Sequence, residues 1–191
     1  MSLVIDIKGK YSGFMPNVIS QVYRFRGFAG ETLTAQFKDG TTKSADVSRQ
    51  LKEAWGFVTQ RADIKGGKCN AYFKTLSRGK TLKEVLQEGN IVMHCLEPKV
   101  GYSYDDLPHA ATADRDIGID PSILFETSHV LGCTLIHELA HVSGATTDNS
   151  KSNPHAGDAE EALNHCLCHS QFHLGTLGSI QSVTEKDSRI A

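Results

Sequence analysis

A long apolar segment, residues 128–143, limits how this chain can fold more than any other feature. A serine at its start can cap a helix, and Gly144 can end one, so the pattern predicts a single helix over the whole segment. A helix this apolar must pack against other elements on most of its surface. It nevertheless contains His137, Glu138 and His141, and buried polar groups are costly unless they have partners. These three residues therefore need a specific role.

His137 and His141 are four residues apart, so on a helix both imidazoles face the same side. Two imidazoles in this arrangement can hold one zinc ion, the cofactor that the pattern predicts. Zinc lowers the pKa of a water molecule towards neutrality, and Glu138 can take the proton as general base. The residues therefore predict a zinc-dependent hydrolase with Glu138 as its catalytic residue. If the histidines only formed hydrogen bonds in a core, the glutamate would have no role.

A catalytic zinc ion needs a third protein ligand and an open position for water. The residues alone leave several donors open downstream: Asp148, His155, Asp158, Glu160, Glu161 and His165. Thermolysin-like enzymes take a glutamate from the next helix, which fits Glu160 or Glu161. The metzincin arrangement fails, because Thr147 occupies the place of its third ligand and every methionine precedes the two histidines.

Residues 137–148, His-Glu-Leu-Ala-His-Val-Ser-Gly-Ala-Thr-Thr-Asp, resemble the aspzincin (deuterolysin-like) zinc metallopeptidases. In that family a Gly-Thr-x-Asp turn after the helix supplies the third ligand, so the resemblance implies Asp148 in this role. Asp158-Ala159-Glu160 is similar to the family's Asn-Ala-Asp, whose acid supports the site. The resemblance covers about residues 112–172. It implies a zincin-like α+β fold in which the histidine-bearing helix packs on a small sheet and a second helix follows.

The chain departs from the family directly after Asp148. There the family has a Tyr-Gly pair whose tyrosine helps to stabilise the oxyanion, whereas this chain continues with Asn149 and Ser150. Tyr102 and Tyr104 are alternative donors, although a solvated position in a loop is the more common fate of such residues. The oxyanion donor therefore stays unassigned at this point.

The resemblance implies a metalloendopeptidase that acts on a polypeptide, and compact domains of this family also occur as bacterial effector or toxin modules. An extended substrate can pair with an edge strand, which we predict at residues 117–120. Two other functions fit the same ligands. One is a zinc amidase that acts on the cell wall, and the other is a non-enzymatic binding module in which zinc has a closed coordination sphere.

Charge and hydropathy argue against two kinds of partner. The net charge of −2 gives no sign of the basic surface that nucleic-acid binding requires. No apolar stretch approaches the ~20 residues that span a membrane. The N-terminus has no recognisable signal peptide. We therefore expect that the protein is cytoplasmic, has lost a signal, or is exported by a signal-independent route.

Five cysteines are present, so at least one lies outside any intrachain disulfide. We expect reduced and partly buried thiols, with one or two disulfides as the alternative. The run His165-Cys166-Leu167-Cys168-His169, with His173 beyond it, contains ligands for a structural metal. On a helix, however, the two cysteines of this run point to different sides. A partly buried helix with surface histidines is therefore the favoured interpretation.

The remaining patterns predict an α+β chain. Strands are expected at 33–37 and 91–96, a helix at 45–62, a short helix after a Thr81–Glu84 capping box, a loop at 100–115 and a helix from about 157 to 172. We divide the chain into an N-terminal part of unknown role (1–100), a catalytic core (101–178) and a loose polar tail (179–191).

Overall fold

The computed structural model describes residues 3–7, 20–146, 158–168 and 180–186. Within these ranges the chain forms a mixed α+β fold with two sheets and five α-helices. The strands are β1 (Leu3–Ile5), β2 (Tyr23–Arg26), β3 (Thr32–Phe37), β4 (Thr42–Asp46), β5 (Ile91–Pro98), β6 (Ala110–Ala113), β7 (Asp116–Ile119) and β8 (Ile180–Lys186). The helices are α1 (Val47–Asp63), α2 (Lys68–Phe73), α3 (Leu82–Gln87), α4 (Ser128–Val142) and α5 (Ala159–His165).

The larger sheet has the order β1-β5-β7-β6, and β2 also pairs with β5. β5 runs parallel to β1 and β7 and antiparallel to β2, and β6 and β7 form an antiparallel hairpin. β7 therefore lies inside the sheet, and the prediction of an edge strand at 117–120 is wrong. The edge beside the histidine-bearing helix is β6, which lies in the segment predicted as a loop. Its sequence, Ala-Ala-Thr-Ala, carries little strand propensity.

The interior position of β7 follows from its packing on both faces. Ile117, Gly118 and Ile119 are all buried. A Cβ atom at Gly118 would lie 2.4 Å from Leu96 and 2.6 Å from Phe25, so only glycine fits between these side chains. The alternating sequence thus marks a buried strand rather than an exposed edge.

A chain of side-chain hydrogen bonds centred on a buried histidine crosses this sheet. His94 on β5 contacts Asp6 through Nδ1 at 3.1 Å and Asp116 through Nε2 at 2.6 Å. The side chains of His94 and Asp6 are fully buried. The three residues connect β5 with β7 and with the segment after β1.

The smaller sheet is antiparallel with the order β4-β3-β8. It confirms the predicted strand at 33–37 and the turn after it, where Gly40 has a φ of 85°. The C-terminal segment was expected to be loose, but residues 180–186 pair along β3 as β8. Among the described residues no helix is both long and apolar enough to cross a membrane.

Helix α4 packs against α1, α5 and β6. Its predicted extent is confirmed to within one residue, with Thr127 rather than Ser128 as the N-cap. Gly132 allows a close approach to α1, since a Cβ atom there would lie 2.6 Å from the Phe57 ring. The amphipathic helix α1 and the Thr81–Glu84 capping box of α3 are also confirmed.

Two disulfides join the end of α5 to other helices. Cys166 bonds to Cys69 on α2, and Cys168 bonds to Cys133 on α4. Cys95 remains a buried thiol that donates to the carbonyl of Leu96 at 3.4 Å. The expectation of reduced thiols is therefore wrong for four of the five cysteines.

Helix α5 also ends earlier than predicted. The helix stops at His165 instead of continuing to about residue 172, and Leu167 adopts a φ of 65°. Cys166 and Cys168 bond to partners that lie 97 and 35 residues away in the chain, and nothing in the local sequence pattern indicates these pairings. Because both are disulfide-bonded, they supply no thiolates for the structural metal weighed above. His169 and His173 lie outside the described residues.

Candidate metal centre

Helix α4 presents His137 and His141 side by side in the lining of a cleft. Their Nε2 atoms are 3.3 Å apart. A tetrahedral zinc ion with both nitrogens about 2.0–2.1 Å away holds them about 3.3–3.4 Å apart. The separation of these two atoms therefore fits a shared zinc ion.

The other nitrogen of His141 is held by the turn that follows the helix. Gly144, with a φ of 94°, reverses the chain, and the carbonyl oxygen of Ala145 lies 3.1 Å from His141 Nδ1. A carbonyl can only accept, so Nδ1 carries the proton and donates it. Nε2 of a neutral His141 then keeps its lone pair, as a metal ligand requires. A side chain at Gly144 would collide with Ser77.

The other nitrogen of His137 faces helix α5. Glu160 Oε1 lies 3.3 Å from His137 Nδ1, and Asp158 caps α5 by accepting from the Glu160 amide at 2.9 Å. A carboxylate at Nδ1 favours a proton there. If both rings carry their proton at Nδ1, two Nε2 acceptors lie 3.3 Å apart, an arrangement that a cation between them stabilises.

The two glutamates considered as third ligands have different partners in the structure. Glu160 contacts the nitrogen of His137 that is remote from His141, so it is placed to orient that ring. Glu161 points elsewhere and pairs with His165 at 3.4 Å. His165 in turn stacks on Tyr72, with ring centroids 4.8 Å apart.

Asp148 and His155 lie outside the described residues, and Asp158 is a buried helix cap. In the part of the chain that the structure describes, no three His, Cys, Asp or Glu side chains converge as a complete ligand set.

Glu138 lies on the same helix, and only 5% of it is exposed. Its carboxylate is anchored by strand β6, because the Thr112 hydroxyl donates to Glu138 Oε2 at 2.6 Å. The same hydroxyl lies 3.3 Å from the backbone oxygen of Glu138. The acid next to the first histidine is thus held by the edge strand.

The cleft has a volume of about 580 Å³ and contains side chains that the sequence patterns did not single out. Those with polar groups are Tyr23, Arg78, His109, Thr112, Asp114 and Thr134. Arg78 and Asp114 form an exposed ion pair at 3.4 Å.

Tyr23 and His109 are hydrogen-bonding groups in the walls of this cleft. Burial, and then the negative charge of Glu138, raise the pKa of Tyr23 above its ordinary value. Partial burial lowers the pKa of His109, which favours a neutral ring. Neither Tyr102 nor Tyr104 lines the cleft, and burial raises the pKa of Tyr104 to about 12.

No family model, curated protein or solved structure matches the chain. Its function therefore has to be inferred from the geometry of this cleft.

Proposed function

We propose that this protein is a zinc-dependent hydrolase of zincin-like fold, most simply a metalloendopeptidase, with the cleft above α4 as its active site. The observation that carries the proposal is the pair of facing Nε2 atoms of His137 and His141, 3.3 Å apart, with both remote nitrogens next to acceptors. Glu138 follows directly in sequence and lines the same cleft. The resemblance to the aspzincins adds Asp148 as the proposed third ligand.

When bound, zinc supplies Lewis-acid activation of the scissile carbonyl and of a water molecule. Glu138 takes the proton of the attacking water and delivers it to the departing amine. His137 and His141 hold the ion through Nε2. Glu160 and the Ala145 carbonyl keep the two rings in the orientation that ligation needs.

The negative charge that develops on the substrate oxygen requires a donor in the cleft. Tyr23 lines this cleft, and its hydroxyl, like that of any ordinary tyrosine, is protonated at neutral pH and can donate. We propose Tyr23 for this role in place of the two loop tyrosines considered from sequence.

An extended polypeptide fits the edge of the larger sheet. β6 pairs with β7 on one side, and its residues Ala110, Ala111 and Thr112 line the cleft on the other. A substrate strand added to this edge gains backbone hydrogen bonds and runs past the two histidines. The two disulfides favour a protein that works in an oxidising environment, and so support export over a cytoplasmic location.

The decisive experiment compares the wild-type protein with Glu138→Gln. Both should hold one zinc per chain, but only the wild type should cleave a denatured protein library, and a chelator should abolish the cleavage. Glu161→Gln is the matched control, because Glu161 pairs with His165 outside the cleft.

The alternative functions give different results in this comparison. Cleavage of peptidoglycan but not of polypeptides would indicate the cell-wall amidase. Stoichiometric zinc without any hydrolysis would indicate the binding module. Equal turnover by wild type and Glu138→Gln would contradict the proposed mechanism.

A further inference from the structure

We propose that Thr112 is a positioning residue that fixes the carboxylate of Glu138 for proton transfer. This inference rests on the proposed function, because it assigns Thr112 a role in the same reaction. It starts from one contact, the 2.6 Å hydrogen bond from Thr112 Oγ1 to Glu138 Oε2. A bond from a hydroxyl to a carboxylate at this distance belongs to the strong, charge-assisted class.

Glu138 needs such an anchor because a glutamate side chain rotates about several bonds. On the helix, only its Cα is fixed by the backbone, and holding the carboxylate in one direction costs rotamer entropy. A general base must lie within hydrogen-bond reach of the proton that it takes. A donor that fixes Oε2 sets the carboxylate plane in the same direction in each turnover.

Thr112 is itself rigidly held. In the hairpin register it stands opposite Ile117, which is fully buried in the larger sheet. A β-branched side chain also has few χ1 rotamers, so the hydroxyl is directed by the strand. The hydroxyl lies close to both the carboxylate and the backbone oxygen of Glu138, at 2.6 and 3.3 Å. The contact thus joins the rigid edge strand to the helix that carries the base.

The position of Thr112 on β6 also links the base to the substrate. β6 is the strand along which we place the extended polypeptide, and Thr112 lines the cleft. One strand then orders both the substrate backbone and the general base. Loss of the hydroxyl should therefore lower kcat and leave KM near its wild-type value, because the backbone of β6 is unchanged.

The first test is kinetic and uses the full-length, zinc-loaded protein. Thr112→Val keeps the shape and strand propensity but removes the hydroxyl, and should lower kcat by about 10- to 100-fold, the value of a hydrogen bond to a charged group. Thr112→Ser restores a hydroxyl and should recover most of the activity. Thr34→Val is the matched control, since Thr34 also lies in a strand but bonds to Ser44 at 2.8 Å, remote from the cleft.

The second test is independent of activity and uses the zinc-free protein. Thr112→Val should lower the melting temperature by about 3–8 °C when Glu138 is present. In the Glu138→Ala background the same substitution should have a much smaller effect, because the hydrogen bond is already lost. If Thr112→Val does not fold, Thr112→Ala removes the same hydroxyl with less bulk and repeats both tests.

The outcomes separate this inference from the proposed function. Normal kcat in Thr112→Val, with an active wild type and an inactive Glu138→Gln, would overturn the role of Thr112 alone. An equal fall in melting temperature on Thr112→Val, with Glu138 present and in the Glu138→Ala background, would also overturn the role of Thr112. A wild type that cleaves no faster than Glu138→Gln would overturn the proposed function and this inference together.

Discussion

Cys133 lies one helical turn before His137 and is disulfide-bonded to Cys168, three residues after the end of α5. The bond ties the helix that carries both histidines to the helix that carries Glu160. The second disulfide fixes the end of α5 to α2 through Cys166 and Cys69. The contact between Glu160 and His137 therefore depends on two covalent links as well as on packing.

Reduction of these disulfides should lower both stability and zinc affinity. The bridges close segments of 97 and 35 residues, and loss of a native disulfide costs about 2–5 kcal/mol in the free energy of unfolding. Urea unfolding and zinc titration, each with and without dithiothreitol, measure the two effects. Cys95→Ala should remain sensitive to the reductant, because Cys95 is in neither bridge. An unchanged unfolding midpoint after full reduction would contradict the prediction.

Replacing either histidine of the pair should abolish stoichiometric zinc binding. His137→Ala and His141→Ala each remove one of the two Nε2 donors that lie 3.3 Å apart. Metal analysis of the purified variants gives the answer directly. His129→Ala is the control on the same helix, because His129 packs edge-on against Phe57. One zinc per chain in the His137→Ala/His141→Ala double variant would place the metal elsewhere.

The helix and its histidine pair could be predicted because their signals are local. Four-residue spacing fixes the relative position of His137 and His141 on any helix, and Gly144 marks where this helix ends. Glu138 follows from the same spacing. These features need no knowledge of what packs against the helix.

The walls of the cleft could not be predicted, because they depend on the order of strands in the larger sheet. Thr112 meets Glu138 only because β6 forms the sheet edge, and Tyr23 reaches the cleft from a strand more than a hundred residues earlier in the chain. The disulfides were not predicted because they join residues 97 and 35 positions apart, and no local signal indicates the partners. The end of α5 at His165, seven residues earlier than predicted, was not predicted either. The contacts that could not be predicted all join segments that are distant in the sequence.

Tyr23→Phe should lower kcat by about 100-fold while zinc content and KM stay near wild type, because loss of one oxyanion donor costs about that much. Steady-state kinetics on a fluorogenic peptide measure the change. Tyr102→Phe is the control, since Tyr102 is exposed and does not line the cleft. A wild-type kcat in Tyr23→Phe would contradict its proposed role in the reaction.

Asp120 should make the fold less stable as the pH rises. Burial, only partly offset by hydrogen bonding with Ser122, raises its pKa from 3.8 to about 6. The stability that this raised pKa provides is fully present below about pH 4, where the carboxyl is protonated in both the folded and the unfolded state. It is lost as the pH rises to about 6, because the buried carboxyl then has to ionise. The penalty above that pH is about 3 kcal/mol, from 1.36 kcal/mol for each unit of pKa.

Asp120→Asn should therefore raise the free energy of unfolding at pH 7.5 and have little effect at pH 4. Urea titrations at both values measure it. Asp39→Asn is a control of opposite sign. Hydrogen bonds from Thr41 lower the pKa of Asp39, so its charged carboxylate stabilises the fold at neutral pH. Its replacement should therefore lower the free energy of unfolding at pH 7.5. An equal effect of Asp120→Asn at both pH values would refute the prediction.

The third zinc ligand is where the proposed aspzincin arrangement and the thermolysin-like one diverge. The turn at Gly144 brings the Ala145 carbonyl to His141, so the chain leaves the helix beside the proposed metal site. Asp148 follows three residues later and is the first ionisable residue after the turn, although it lies outside the described residues. Glu161 is engaged by His165 instead.

Asp148→Ala should therefore lower zinc affinity by orders of magnitude, while Glu161→Ala should leave it near wild type. Glu160→Ala should fall between them, with a loss of about 10- to 100-fold, because a residue that orients a ligand contributes less than the ligand itself. Competition with a chromogenic chelator ranks the three variants in one assay. If Glu161→Ala lost zinc and Asp148→Ala kept it, the thermolysin-like arrangement would be correct, and α5 would have to turn Glu161 away from His165 towards His137 and His141.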